Sequence, residues 1–309
     1  MLKQSNEIWR QNATKMNFLR FSLFNGKNTR SSFIKQRNTI MKSYSVRLFS
    51  DYTQVRDKLL QFYFDRNDPN LRRENALPGE DVQFEMLPKA NHGHSRVKAS
   101  EILAQSTKNY RESAVMILCY PITSDHLQSD SKDAIKCERT VVAESSKLEK
   151  SSESVFGFTL TKRFGYKGIH SDEVCLPGGS LDETDGSLQE TAERECFEEI
   201  GVSNVKVIGQ LSPIYIAVSN FLVTPFIALT HNEENPTFDP HPREVKSVIN
   251  TGIDVLLDDN NVKQTEMLLP FKKESPKPFT VPYFNVGDEI VWGATAGILS
   301  EFKHLIKSL

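Results

Sequence analysis

The chain has 309 residues, of which 38% are apolar and 25% are charged, a composition typical of folded globular proteins. Its net charge of −2 combines ten basic residues and one acid in residues 1–49 with 28 basic and 39 acidic residues in the remainder, which excludes a uniformly basic nucleic-acid-binding body. No run approaches the roughly 18 consecutive apolar residues of a membrane-spanning helix, and the four cysteines lack the spacing of a zinc site.

Residues 1–49 form a basic leader that is rich in Arg, Lys, Asn and Ser and contains the single acid Glu7. This composition is typical of an organelle-import segment and by itself suggests mitochondria, although a disordered basic leader has the same composition. Residues 47–55 resemble a peroxisomal import nonapeptide but end in Val where Leu or Ala is expected. The leader therefore leaves the compartment open between these two organelles.

The rest of the chain is predicted to contain a helical flank followed by strands and helices. The apolar spacing over residues 45–66 suits a helix, and residues 50–111 are expected to form a helical N-terminal extension. Residues 124–154 are rich in Ser, Lys, Asp and Glu and are expected to form a mobile insertion. Strands are predicted at residues 114–121, 155–162, 205–211, 221–229 and 245–249, and a closing helix at residues 295–307.

The most informative segment, residues 176–202, has the pattern of a strand end, a glycine turn, a loop and a helix. Ser187 and Glu190 have the spacing of a capping box, which predicts that the helix begins near Leu188. Gly201 occupies the position of a left-handed cap at the end of that helix. The segment is therefore predicted to present about four helical turns directly after a tight glycine turn.

Three carboxylates lie on one face of this predicted helix. Glu195, Glu198 and Glu199 stand at positions i, i+3 and i+4, so that their Cβ atoms lie within about 5 to 6 Å of each other. Three like charges repel, and a hard divalent cation such as Mg²⁺ or Mn²⁺, which takes oxygen ligands, would compensate them. The alternative is an acidic, solvated helix face. Gly178 and Gly179 favour the metal site, because they let the main chain approach a ligand closely.

These residues carry a resemblance to the Nudix hydrolases. Residues 194–202 match the R-E-U-x-E-E-x-G-U half of the Nudix box, with Cys196 and Val202 at the apolar U positions. The first half of the box departs from the strict pattern, because Asp185 replaces Glu and one extra residue separates it from Arg194. This departure resembles the coenzyme A diphosphatase branch of the family.

A second signature of that branch is matched in part upstream of the box. Residues 160–163 and His170, followed by residues 174–179, resemble L-L-T-x-R-S and then H-x-G-x-V-x-F-P-G-G. The match departs in four ways, because Phe164 replaces Ser, Asp172 replaces Gly, Leu176 replaces Phe, and the interval from Arg to His is one residue shorter. Residues 290–299 resemble the closing I-W-G-x-T-A-x-I-L segment of the branch. The resemblance covers residues 112–309, and it implies the Nudix α/β/α sandwich with a mixed β-sheet.

The resemblance also implies the roles of the site residues. Glu195, Glu198 and Glu199 would bind Mg²⁺ or Mn²⁺. Glu198, Glu244 and Arg194 would act in catalysis, where Glu244 is the further acid that Nudix enzymes often place before a strand, and the alternative is an ordinary surface acid. The residues expected to contact the substrate are Lys162, Arg163, His170, Gly178 and Gly179.

The implied reaction is hydrolysis of the pyrophosphate of coenzyme A, or of its acyl or disulfide forms, to 3′,5′-ADP and 4′-phosphopantetheine species. The substrate would be a small molecule, and no nucleic acid or membrane span is expected. One alternative is a Nudix pyrophosphohydrolase that acts on ADP-ribose, a dinucleotide or an oxidised nucleoside triphosphate, and another is a non-catalytic Nudix binding module. The branch suggests the peroxisome, and the sequence leaves the oligomeric state open.

Overall fold

A computed structural model describes residues 51–68, 76–88, 97–105, 107–122, 154–164, 172–231, 234–267 and 278–309. The predicted basic leader at residues 1–49, all but the last residue of the predicted insertion at residues 124–154, and His170 lie outside these ranges. The fold and the site are described for the remaining residues.

Most predicted elements are confirmed within one to three residues at each end. The helices are α1 (Tyr52–Asn67), α2 (Glu80–Gln83), α3 (Ala99–Leu103), α4 (Leu188–Ile200), α5 (Ile253–Leu257) and α6 (Gly293–Ser308). The strands are β1 (Arg111–Ile122), β2 (Val155–Arg163), β3 (Val174–Cys175), β4 (Gly178–Ser180), β5 (Val205–Gln210), β6 (Ile214–Ile216), β7 (Phe221–Thr230), β8 (Val245–Gly252), β9 (Val262–Met267), β10 (Phe279–Val286) and β11 (Glu289–Trp292). Short 3₁₀ turns follow α2 and α5.

The main sheet is mixed, and its strands β1 and β2 pair at one end and diverge at the other. One edge of β1 pairs in parallel with β7, which in turn pairs with β5 and β6. The other edge of β1 pairs with β4 through Ser113 to Val115 and with β2 through Cys119 to Ile122. The far end of β2 pairs with β3, and its other edge pairs with β8. Strands β3 and β4 therefore fill the space where β1 and β2 diverge.

Two hydrophobic cores lie on opposite faces of this sheet. Side chains of a strand alternate between its faces, and in β1 Leu118 belongs to the same buried cluster as Cys196 of α4. The neighbouring Ile117 belongs to the other cluster, together with Leu59 of α1 and Phe302 of α6. The predicted α/β/α sandwich with a mixed sheet is therefore confirmed.

The N-terminal extension packs into the core that contains Ile117 and Phe302. Helix α1 begins after Asp51, whose side chain accepts a hydrogen bond of 2.9 Å from the Gln54 N–H. The Tyr63 hydroxyl donates to the Gln210 carbonyl at 3.1 Å, and its ring lies where a Cβ at Gly209 would be placed. The predicted helical extension is confirmed. None of the helices in the described ranges is both long and apolar enough to cross a bilayer.

A buried carboxylate joins three segments on this face of the sheet. Glu301 of α6 is fully buried and accepts hydrogen bonds from the Gly79 N–H at 3.1 Å and from the Gln83 amide at 2.7 Å. It also accepts bonds from the Ser212 N–H at 3.1 Å and from the Ser212 hydroxyl at 2.8 Å. Glu301 thereby ties α6 to α2 and to the connection between β5 and β6.

Candidate active site

The structure places the loop and helix of the Nudix-like box as the sequence predicts. Helix α4 begins at Leu188, and the Ser187 hydroxyl accepts a hydrogen bond of 3.2 Å from the Glu190 N–H. The Glu190 carboxylate accepts from the Gly186 N–H at 2.9 Å, one residue before the position that a strict capping box uses. Gly201 has a φ of 76° and ends the helix as a left-handed cap.

The two glycines of β4 are required by close contacts. Gly178 has a φ of 153°, and a Cβ there would collide with the main chain of β1. Its N–H donates to the Glu199 carboxylate at 3.2 Å. A Cβ on Gly179 would overlap the carboxylate of Glu195. Both positions therefore need glycine so that β4 can lie against the acids of α4.

Arg194 is held entirely by protein groups. Its guanidinium donates two hydrogen bonds of 2.9 Å to Asp185, one of 2.9 Å to Glu195 and one of 2.9 Å to Glu198. A further bond of 3.2 Å goes to the Ser180 carbonyl. Arg194 therefore braces the acids of the helix against the preceding loop. The bidentate pair also holds Asp185, and with it the lengthened loop, against the helix.

The acids of the site differ in their electrostatic environments. Arg194 holds the pKa of Asp185 well below its usual range. Burial raises the pKa of Glu195. The Glu199 side chain is 3% exposed, and burial raises its pKa to about 7, with a further contribution from the charges of Glu195 and Glu244. The charge of Arg163 opposes this shift. Glu199 is therefore a buried acid whose negative charge is only partly compensated.

Glu244 faces this cluster from the turn that precedes β8. Its N–H donates to the His241 carbonyl at 3.2 Å, and its own carbonyl accepts from the Phe164 N–H at 3.4 Å. The side chain is 52% exposed, and its charge raises the pKa of both Glu195 and Glu199. The structure thus brings Glu244 to the acids with which the sequence grouped it.

The residues predicted to contact the substrate have different surroundings. Gly178 and Gly179 lie directly against the acids, and the charge of Arg163 acts on Glu199. The Lys162 ammonium instead donates to both oxygens of Glu289 in β11 at 2.8 Å. The structure therefore brings Gly178 and Gly179 to the acids and Arg163 near enough for its charge to act on Glu199, whereas Lys162 is paired with Glu289 and His170 lies outside the described ranges.

The donor types of the site suit a hard divalent cation. All of its candidate ligands are carboxylates, and Glu199 carries a buried charge with one hydrogen bond, from the Gly178 N–H. In the part of the chain that the structure describes, no three acidic, histidine or cysteine side chains converge in the arrangement that holds a metal ion. The reason is visible in two of the acids, since Glu195 and Glu198 are both turned toward Arg194. One oxygen of each of these two carboxylates is thereby occupied by Arg194.

His241 is a further residue beside these acids that belongs to none of the sequence motifs. Its main-chain N–H donates at 2.9 Å to the carbonyl of Glu199, in the last turn of α4. Its ring nitrogen Nδ1 lies 3.6 Å from Glu244 Oε1. The sequence did contain a sign of this contact. His241 lies three residues before Glu244 and beside a proline, and a tight turn brings residues at this spacing together.

Comparisons with known proteins show the family of the chain. The NUDIX domain family matches residues 149–268. The chain is 34% identical over 146 residues to "Nudix hydrolase 15, mitochondrial" of Arabidopsis thaliana, covering 45% of this chain and 49% of that protein. It spans about half the length of this relative and of the chloroplastic Nudix hydrolase 22 from the same plant.

Two further similarities extend over more of the matched protein. The chain is 31% identical over 144 residues to the Nudix hydrolase NudL of Pectobacterium atrosepticum, and the match covers 46% of this chain and 71% of NudL. Among solved structures, the Nudix hydrolase RenU of M. smegmatis is similar with a TM-score of 0.35 and 11% identity, covering 64% of this chain and 88% of that one. On the family match and the coverage of NudL, this chain belongs to the Nudix hydrolase family.

Proposed function

We propose that the chain hydrolyses the pyrophosphate bond of coenzyme A or its acyl or disulfide forms, in a reaction that depends on Mg²⁺ or Mn²⁺. The observation that carries the proposal is the placement of four acids around the glycine turn. Glu195, Glu198 and Glu199 come from one helix, and Glu244, in the turn before β8, is close enough for its charge to act on Glu195 and Glu199. A pyrophosphate linkage carries negative charge at its cleavage point, so its hydrolysis requires concentrated positive charge and an oriented water.

Each acid has a proposed part in this reaction. Glu195, Glu198 and Glu199 are the residues that would hold the metal ion, which when bound would neutralise the charge that develops on the phosphate oxygens. Glu198 or Glu244 would accept the proton from the attacking water, since both side chains are more than half exposed and can reach a bound substrate. Arg194 would position Glu195 and Glu198 through its hydrogen bonds to them.

Coenzyme A is the proposed substrate for two reasons. The lengthened loop of the box resembles the coenzyme A branch, and in the structure this loop closes through the Asp185–Arg194 pair. Arg163 and Lys162 follow one another at the end of β2, and we propose that they bind the 3′-phosphate that distinguishes coenzyme A from most adenosine compounds. Lys162 would have to leave Glu289 to do so. The products would be 3′,5′-ADP and 4′-phosphopantetheine species.

Hydrolysis by the purified protein tests the proposal. The panel contains coenzyme A, its disulfide, acetyl-coenzyme A, ADP-ribose, NADH and 8-oxo-dGTP, each with Mg²⁺ or Mn²⁺. We expect 3′,5′-ADP from the coenzyme A compounds and its loss in Glu198→Gln. The matched control is Glu193→Gln, which makes the same chemical change on the same helix at a residue whose carboxylate accepts a bond from Gln189 and lies outside the cluster.

The other outcomes separate the alternatives. Cleavage of ADP-ribose, NADH or 8-oxo-dGTP alone would retain a Nudix pyrophosphohydrolase and reject coenzyme A as the substrate. Binding of a nucleotide without cleavage under either metal would support the non-catalytic binding module. Equal activity in Glu198→Gln and Glu193→Gln would remove Glu198 from the proposed mechanism.

We propose a mitochondrial location for the protein. The composition of residues 1–49 is that of an import leader, and one relative is named mitochondrial and another chloroplastic. The peroxisomal location, which the sequence favoured narrowly, rests on the resemblance to the coenzyme A branch and on the imperfect import nonapeptide at residues 47–55. Fractionation of cells that express the full chain tests this, because the protein should sediment with mitochondrial markers and separate from peroxisomal ones.

A further inference from the structure

We propose that His241 is a positioning residue that orients the Glu244 carboxylate toward the other acids of the site through its ring nitrogen Nδ1. The inference rests on the proposed function, because it assigns a role in the same reaction. It adds a residue that the Nudix box does not contain and that lies three positions before Glu244.

His241 contacts both sides of the site. Its main-chain N–H donates to the Glu199 carbonyl at 2.9 Å, and its carbonyl accepts from the N–H groups of Glu244 at 3.2 Å and Val245 at 3.0 Å. These three bonds fix the histidine main chain between the end of α4 and the start of β8. The side chain therefore starts from a defined place relative to both Glu199 and Glu244.

The ring nitrogen is directed at Glu244. Nδ1 of His241 is shielded from solvent and has no hydrogen-bond partner among the residues that the structure describes, although the side chain as a whole is 40% exposed. A shielded polar atom without a partner requires an explanation in a folded protein. The Glu244 carboxylate oxygen lies 3.6 Å away, which is beyond hydrogen-bond length but within reach of a small rotation.

A contact of this kind is expected at a ligand-free catalytic site. Hydrogen bonds among catalytic groups are often long before the substrate binds, and they tighten in the complex. An Nδ1–H donated to Glu244 would fix one rotamer of a side chain that is otherwise 52% exposed. It would leave the other carboxylate oxygen free to accept a proton from water.

Two substitutions show which ring nitrogen of His241 is needed for activity. The amide nitrogen of His241→Asn lies near the position of Nδ1, whereas that of His241→Gln reaches the position of Nε2. We expect His241→Ala to lower kcat by about 10- to 100-fold with KM nearly unchanged, as for other residues that orient an active-site group. Asn should restore most of the activity, and Gln should behave like Ala.

Several results would overturn the assignment. One is wild-type kcat in His241→Ala, and another is equal recovery in the Asn and Gln variants. A loss of Mn²⁺ affinity in His241→Ala, measured by titration of the free ion, would make His241 a metal ligand instead. Thermal unfolding of each variant verifies the fold, since the main-chain bonds of His241 do not involve the replaced atoms.

A measurement without turnover distinguishes this inference from the proposed function. Long-range ¹H–¹⁵N spectra of the full chain report which ring nitrogen of His241 carries the proton, with the signal assigned by its absence in His241→Asn. We expect the proton on Nδ1 in the wild type and on Nε2 in Glu244→Ala. If the wild type cleaves no nucleotide, the proposed function fails while this spectrum still tests the contact. A proton on Nε2 in both proteins would reject the contact.

Discussion

Two buried glutamates on opposite faces of the main sheet have different surroundings. Glu301 of α6 accepts four hydrogen bonds, from three residues in two other segments. Glu199 of α4 has one in the described part of the chain, from the Gly178 N–H at 3.2 Å, and it lies near two further acids. Burial raises the pKa of both carboxyl groups.

The difference shows which buried acid serves the fold and which serves the site. A buried charge is tolerated when hydrogen bonds compensate the lost hydration, and this condition is met at Glu301. Glu199 is buried with less compensation, from one hydrogen bond and the charge of Arg163, and beside like charges, an arrangement that lowers stability. Residues of this kind are retained where a ligand completes their coordination. This comparison supports the proposal that the face of the sheet that carries α4 holds the site, whereas Glu301 stabilises the packing of α6 on the other face.

The largest expected effect is loss of activity in Glu199→Gln. We expect kcat to fall by about 10³-fold, because a metal-binding charge at the reacting phosphates is removed. The same substitution should raise the free energy of unfolding by about 1 kcal/mol at pH 7 without metal, since a neutral amide can still accept from the Gly178 N–H. Initial rates and urea unfolding check the two parts. A variant that is both active and less stable would contradict the comparison.

Glu301→Ala should lower the free energy of unfolding and leave activity unchanged, which is the opposite of the result expected for Glu199→Gln. Removing this carboxylate leaves the N–H groups of Gly79 and Ser212 and the amide of Gln83 without their acceptor, at a total cost of about 3 kcal/mol in the free energy of unfolding. The rate per folded molecule should be unchanged, because Glu301 lies on the other face of the sheet. Urea unfolding and active-site-normalised rates measure this. Glu301→Gln retains one acceptor oxygen and should lose less stability, which makes it the matched control.

The sequence predicts the local parts of this comparison. The capping residue Ser187, the start of α4 at Leu188 and the cap at Gly201 are confirmed because each depends on residues a few positions apart. The α/β/α sandwich was expected from the resemblance to the Nudix family. The small sheet of β9, β10 and β11 was not predicted, since its pairing depends on long-range register.

The partners of the charged residues also could not be predicted from the sequence. Arg194 was predicted to act in catalysis, and the fold shows that its donors are used by Asp185, by the Ser180 carbonyl and by two acids of the helix. Lys162 meets Glu289 across 127 residues of chain. Glu301 was not singled out because its partners come from α2 and from the loop after β5. Such contacts depend on tertiary packing that local patterns do not specify.

The pH dependence of stability should separate the two glutamates. A carboxyl whose folded pKa is raised stabilises the fold below its unfolded pKa of 4.5, and this contribution is lost as the pH rises through the folded value. For Glu199 the window is pH 4.5 to about 7, and the loss is at most roughly 3 kcal/mol. Urea unfolding with a chelator present should give a flatter profile over this window in Glu199→Gln. Parallel profiles for the two proteins would contradict the assignment.

The smallest expected effects come from two glycines, one on each side of the comparison. In Gly179→Ala the new Cβ overlaps the Glu195 carboxylate, which must turn away, so activity should fall while stability changes little because this side chain is near solvent. In Gly209→Ala the new Cβ meets the buried ring of Tyr63, which can move only by disturbing the core, at a cost of about 1 to 3 kcal/mol. Rates and thermal unfolding of both variants measure the contrast. If Gly179→Ala were the less stable and the more active of the two, β4 would serve the fold rather than the site.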